Sequence, residues 1–174
     1  SGVATFAIGA STYAIVASPY DHGVQLIDVS DPSSPVAVGS ATDGVDFHEL
    51  GGARDVDTFA IGASTYAIVA SFSDSGVQVI DVSDPATPVA VGSAQHNADN
   101  FRLYYAGVIE TYETNGTDFA IALSAEEDVL FFQLIQLMQA PFPPPLPPSP
   151  PPPPPSPPFP PFSPPPPSSP PLPP

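Results

Sequence analysis

The chain has 174 residues, no cysteine, 18 acidic residues against 2 basic ones, and a net charge of −16. That balance excludes nucleic acid as a partner, because phosphate binding needs a basic face, and it argues equally against anionic membrane surfaces. The missing cysteine excludes a disulfide framework, a thiolate nucleophile and a Cys-based zinc site, and the most apolar window, Val129–Met138, is far shorter than the ~20 residues of a membrane-inserted helix.

A repeat opens the chain. "TFAIGASTYAIVAS" occurs at Thr5–Ser18 and again, unchanged, at Thr58–Ser71. Thr5–Ala41 aligns with Thr58–Ala94 without a gap and matches at 31 of 37 positions. Self-similarity at a fixed period marks a repeat architecture. The differences cluster in "PYDH" versus "FSDS" and "SS" versus "AT", the expected loop tips. Within a copy, "TFAIG" and "YAIVAS" predict two strands joined by a tight turn at "AST". In "HGVQLIDVS" Val24, Leu26 and Asp28 alternate with Gln25, Ile27 and Val29, so neither face is wholly polar, as suits a strand sandwiched between layers. "SDPSSP" predicts a turn, with Asp31 first and Pro32 pre-setting φ at the second position. "PVAVGSA" is a fourth strand opened by Pro35, where a missing N–H is tolerated.

A diverged third copy follows. "TDFAIALSAEEDVLFFQLI" (Thr117–Ile135) parallels "STYAIVASFSDSGVQVIDV", with Phe119 falling 53 residues after Tyr66. It lacks the DVSDP signature and reads as an atypical terminal repeat. "VLFFQLIQLMQ" is the one helix-compatible segment, and its unbroken apolar character suits a buried strand at least as well. The expected fold is all-β: tandem four-stranded antiparallel propeller-blade-like repeats, about three, in an incomplete ring. They occupy domain 1–140, as copies at about 3–44, 56–97 and 105–138, and a polyproline II rod follows at 141–174. Propellers commonly close with ~4–8 blades. Three cannot close a ring, so either further blades precede them or the open sides pair with another chain.

The segments "VQLIDVSDPSSPVAVG" and "VQVIDVSDPATPVAVG" resemble the LVIVD repeat of bacterial, archaeal and algal surface proteins. The resemblance covers Val3–Ala94 well. It implies a β-propeller module at a cell surface and leaves activity open.

Several side chains are candidates for chemistry. Asp43, Asp46, Asp55 and Asp57 flank the loop between the first two copies, and clustered carboxylates in a loop can supply the oxygen ligands calcium prefers. The spacing is not that of an EF-hand. Asp31 and Asp84 read instead as turn formers before proline. His22, His48 and His96 are scattered and read as surface loop residues. No nucleophile elbow, P-loop or HExxH motif occurs, so no catalytic set and no cofactor beyond calcium is expected. Asn115–Thr117 is an N-glycosylation sequon.

From Pro141 to Pro174, 24 of 34 residues are proline and none is charged. Proline fixes φ and removes the N–H, which leaves polyproline II or disorder. Ser followed by a proline block, as at Ser149–Pro155 and Ser163–Pro167, resembles the extensin and pherophorin class of hydroxyproline-rich wall glycoproteins of plants and green algae. That resemblance implies glycans on hydroxylated prolines, with Pro150, Pro151, Pro152, Pro153, Pro154, Pro164, Pro165 and Pro166 as sites. It implies them also on Ser149, Ser156, Ser163, Ser168 and Ser169. Ser149, Ser156 and Ser163 lie seven apart, which at three residues per turn distributes them around a rod.

The expected function is a structural subunit of an extracellular glycoprotein fibre or cell-surface appendage, self-associating or joined to other wall glycoproteins. The alternative is a propeller-type carbohydrate- or protein-binding adhesion module, tethered to the wall by a proline-rich spacer.

Overall fold

The computed structural model describes residues 2–97, 102–126 and 129–137, and every structural statement below refers to these. They lie in the first of two units, Ser1–Phe142 and Pro143–Pro174. The expectations for the proline-rich tail, including its serine and hydroxyproline glycosylation sites, fall outside the described residues.

The described chain is all-β, with eleven strands in three antiparallel sheets. The first sheet runs β1 (Val3–Ile8), β2 (Ser11–Ser18), β3 (Gly23–Asp28), β4 (Val36–Thr42) in that order. The second repeats it with β5 (Ala53–Ile61), β6 (Ser64–Ser71), β7 (Gly76–Asp81) and β8 (Val89–Gln95). The third has β9 (Val108–Thr114), β10 (Thr117–Glu126) and β11 (Val129–Gln136). The helix-compatible segment is thus a strand. Each sheet is a meander, as a propeller blade is. β5 packs against β1 and β2 on one side and β9 on the other, so the first strands of successive blades lie together.

Turn chemistry explains the hairpins. In the first two blades the tight turn is Gly9–Ala10 and Gly62–Ala63, beginning one residue before the "AST" the sequence suggested. Gly9 (φ 61°) and Gly62 (φ 64°) take the position where a two-residue hairpin needs positive φ. In the third blade Asn115 (φ 52°) and Gly116 (φ 73°) make the two-residue loop in which both residues are left-handed.

The DVSDP motif is local hydrogen bonding. Asp28 accepts from the Ser30 N–H (2.9 Å) and Asp31 from the Ser33 N–H (2.9 Å), and hydrogen bonds from the Ser30 and Ser33 side chains, followed by these backbone bonds, hold both carboxyls below their usual range. Asp81 and Asp84 likewise accept from the N–H groups of Ser83 (2.9 Å) and Ala86 (3.0 Å). Ser30 Oγ accepts from the Thr12 N–H (3.0 Å), as Ser83 Oγ does from Thr65 (3.0 Å). Gln25 and Gln78 stabilise the bulge that follows them by donating to the carbonyls of Gly39 (2.5 Å) and Gly92 (2.7 Å).

Two apolar cores lie between the blades. The first joins Ile15, Ala17, Val24 and Leu26 of blade one to Val56, Val69, Ile80 and Val82 of blade two. The second joins Phe59, Ile68, Ala70 and Val77 to Ile109, Ala120, Ala122 and Leu137 of blade three. The inner strands β6 and β7 of blade two are therefore packed on both faces.

The third blade departs from the gapless alignment. Asp81 pairs with Tyr66, but Gln136 pairs with Phe119, whereas a constant 53-residue offset would put residue 134 there. Ser124 pairs with Phe131 where its counterpart Ser71 pairs with Gly76, so blade three holds two extra residues across a hairpin that closes between Glu126 and Val129. "FQLIQL" (132–137) thus takes the register of "VQVIDV", with Gln133 at the position of Gln78.

Candidate functional site

The chemistry of this molecule concentrates at the seams between blades, and the same contacts recur 53 residues apart. At the first seam Thr58 Oγ1 approaches the Thr5 carbonyl (3.4 Å), and at the second Thr111 Oγ1 approaches the Thr58 carbonyl (3.3 Å). The Gly52 N–H donates to His22 Nδ1 (2.8 Å), and the Tyr105 N–H to Ser75 Oγ (3.2 Å). His22 and Ser75 both sit at positive φ in the loop of one blade and cap the connection that enters the next. Ser71 Oγ donates to the Glu49 carbonyl, and Ser124 Oγ to that of Arg102 (3.0 Å).

The second seam carries an additional clamp. Asp57 Oδ2 accepts from the Thr111 N–H (2.7 Å) and hydroxyl (2.6 Å), and Asp55 Oδ2 from the Ile109 N–H (3.1 Å). Charge-assisted bonds to edge-strand N–H groups are the stronger kind, and they saturate an otherwise unpaired strand edge. Asp55 and Asp57 are therefore seam residues. Asp43 accepts from the Leu50 N–H (3.3 Å), and Asp46 is exposed. The four candidate calcium ligands do not converge: among the described residues no three His, Asp or Glu side chains form a group able to hold a metal ion. Sequence reasoning saw the carboxylates but not the neighbouring N–H groups, which come from residues 54 positions away.

Near the first seam three carboxylates, Glu49, Asp74 and Asp43, lie close together. Glu49 is buried (5% exposed) and its Oε2 has no hydrogen-bond partner. Burial, with Asp74 and Asp43 nearby, pushes its carboxyl up to about 7. Burial also raises Asp74, which accepts from the Gly51 N–H (2.5 Å). Neither group stood out in the sequence.

The same rim carries an aromatic ladder. The Arg54 guanidinium lies over Phe72 (5.0 Å), Phe72 stacks on Tyr105 (4.5 Å), Tyr105 meets Tyr104 (4.1 Å), and Tyr104 meets His96 (5.3 Å). Tyr20, 96% exposed, lines a cleft of about 520 Å³ with Pro19, Arg54 and Phe72. Tyr105 (φ 53°) holds the left-handed position that Gly52 (φ 66°) holds one blade earlier, which costs an aromatic residue roughly 1 kcal/mol. Of the histidines, His22 is a seam residue, His96 joins the ladder and His48 is exposed. Asn115 of the sequon is exposed at its hairpin tip.

The blade geometry agrees with the sequence comparisons. The LVIVD repeat model matches residues 12–43 and 63–95. Each LVIVD match starts at the second strand of a blade and runs to the end of the fourth or just past it. The alpha-L-arabinofuranosidase from Lactobacillus brevis is similar in structure, with a TM-score of 0.54 at 10% identity. The similarity covers 78% of this chain and 48% of that one, so the chain spans about half the length of the enzyme. At that identity the likeness concerns the fold alone: blades of a β-propeller type in an open set. No curated protein sequence matches the chain.

Proposed function

We propose that this chain is a structural subunit of an extracellular glycoprotein fibre or surface appendage, in which the β blades mediate assembly and the proline-rich tail forms a glycosylated rod. One observation carries the reading. The face that blade two buries against blade one recurs, in nearly the same residues, on blade one, where it is open: Val3 is 64% exposed and its counterpart Val56 3%. Near-identical, unclosed units favour head-to-tail addition. The tail composition and the exposed Asn115 support an extracellular, glycan-bearing setting. The test is sedimentation and cryo-electron microscopy of the purified chain over a concentration series. Ordered filaments are expected, and a chain that stays monomeric at high concentration overturns the assembly reading.

A second reading is favoured by the ladder. Exposed aromatic faces beside an arginine and carboxylates suit a saccharide, which makes an adhesion module the alternative. Glycan-array binding that is lost in Tyr20→Ala and Phe72→Ala, without filaments, would decide for it.

A further inference from the structure

We propose that the cleft between Tyr20 and Phe72 binds an oligosaccharide of uronic acids, with a carboxylate held by Arg54 and sugar rings laid on the two aromatic faces. This rests on the saccharide reading of the rim, to which it adds the class of sugar, and it is independent of assembly. The walls come from segments inside the first two blades. Pro19 and Tyr20 belong to the β2–β3 loop, Gly52 and Arg54 to the connection and the start of β5, and Phe72 and Ser73 to the β6–β7 loop. Six positions differ between the aligned copies, and two of those pairs, Pro19 with Phe72 and Tyr20 with Ser73, line this one cleft. The copies thus diverge where the cleft has unlike walls, a phenol on one side and a phenyl ring with a hydroxyl on the other. Its volume of about 520 Å³ falls within the ~300–1,000 Å³ of small-ligand sites.

Arg54 points to the charge of the ligand. The chain has 18 acidic residues and 2 basic ones, so an arginine without a carboxylate is an exception in it. Among the described residues the Arg54 guanidinium makes no hydrogen bond and no ion pair, and it lies over the Phe72 ring at 5.0 Å. Its stem passes Gly107, where an added Cβ would stand 3.7 Å from Arg54 Cδ. Ser1 and Gly107 occupy its place in the other two copies, so only this seam has the cation. The carboxylates beside the lining residues in sequence are engaged elsewhere. Asp21 accepts from the Ser18 hydroxyl (2.6 Å), Asp55 from the Ile109 N–H (3.1 Å) and Asp74 from the Gly51 N–H (2.5 Å). What remains is a planar fork of N–H donors, steadied on an aromatic ring, whose geometry matches a carboxylate with two parallel bonds. The net charge of −16 narrows the choice further. It repels a densely charged polyanion, and one arginine neutralises one charge. A uronic acid carries one carboxylate on a ring whose C–H groups can cover the flat faces of Tyr20 and Phe72. Screening over about 8 Å at physiological salt leaves the group in contact to decide.

The test is calorimetric titration of the full-length chain with trimers of galacturonate, glucuronate, mannuronate and guluronate. Each is run beside the same trimer with its carboxyls reduced to hydroxymethyl groups. At least one acidic trimer is expected to bind about tenfold or more tightly than its reduced counterpart, the difference made by hydrogen bonds to a charged group. Arg54→Gln should erase that difference. Arg54→Lys should keep part of it, since a point charge replaces the fork. Tyr20→Ala should weaken both members of the pair. Both side chains are exposed, and each variant is first checked for a wild-type melting curve. Equal binding of an acidic trimer and its reduced counterpart overturns the proposal and leaves the saccharide reading standing. So does an acid preference that survives Arg54→Gln. A triglutamate peptide that binds as tightly as the best acidic trimer shows that the cleft reads a carboxylate and no sugar, which overturns it as well. Where no trimer binds, the proposal falls, and the glycan array decides separately whether the saccharide reading falls with it.

Discussion

Blades one and two carry nearly the same sequence in different surroundings. "STYAIVAS" forms β2 and β6 with equivalent pairing partners, yet Val69 is fully buried and Val16 is not. Ser18 bonds to Asp21 in its own loop, while its counterpart Ser71 reaches back to the carbonyl of Glu49 in the entering connection. Local sequence sets the strand, the turn and the register. Burial, and so most of the stability each residue contributes, is set by the blade next door. The comparison separates local propensity from packing with almost no change of side chain.

The largest effect should come from one substitution made in both copies. Val69→Asp places a carboxylate in the first core without a partner and should cost at least ~3 kcal/mol, enough to unfold much of a marginally stable domain. Val16→Asp, on the open face, should cost about 1 kcal/mol or less. Urea titration of the two variants measures the gap. Equal losses would mean that the open face is covered in solution.

The two seams differ as well, because Ala4 and Gly2 stand in blade one where Asp57 and Asp55 stand in blade two. Asp57→Ala strips a charge-assisted bond from the Thr111 N–H and should cost roughly 1.5–3 kcal/mol, felt at the second seam. Hydrogen exchange should rise along β9 and leave β1 unchanged. Faster exchange at β1 would show that the two seams do not open independently.

These contrasts bear on what the sequence could reveal. The 53-residue period and the alternating runs made the blades readable in copies one and two, because strand signals are local. Copy three was readable up to Ser124. Beyond it, two extra residues across the β10–β11 hairpin moved the register, and the repeat signal "FQLIQL" is too short to reveal the shift unaided. The seam carboxylates were the hardest to assign. Asp55 and Asp57 look like loop ligands until β9 supplies N–H donors, and nothing near them in sequence announces that strand. Glu49 was invisible for the same reason, since its burial depends on the β7–β8 end of blade two, where its Oε2 lies 2.5 Å from where a Cβ on Gly76 would stand.

Glu49 gives the smallest effect and the sharpest sign. Its folded carboxyl titrates at about 7, above the ~4.3 of an unfolded chain. Between those values the folded state holds the proton that the unfolded state has lost, so stability falls as pH rises and levels off above about 7. The loss should be on the order of 2 kcal/mol, since partial access of water reduces the full shift. Glu49→Gln keeps the shape and removes the charge. It should melt like wild type near pH 4 and above it at pH 8, with the wild-type slope between pH 5 and 7 flattened. Asp74, also raised by burial, should keep a residual slope of the same sign at lower pH. Blade three has Arg102 in place of Glu49, so the second seam should show no such loss. A difference between variant and wild type that stays constant from pH 4 to pH 8 would mean that Glu49 is ionised throughout, with water or a cation reaching its Oε2 at the first seam.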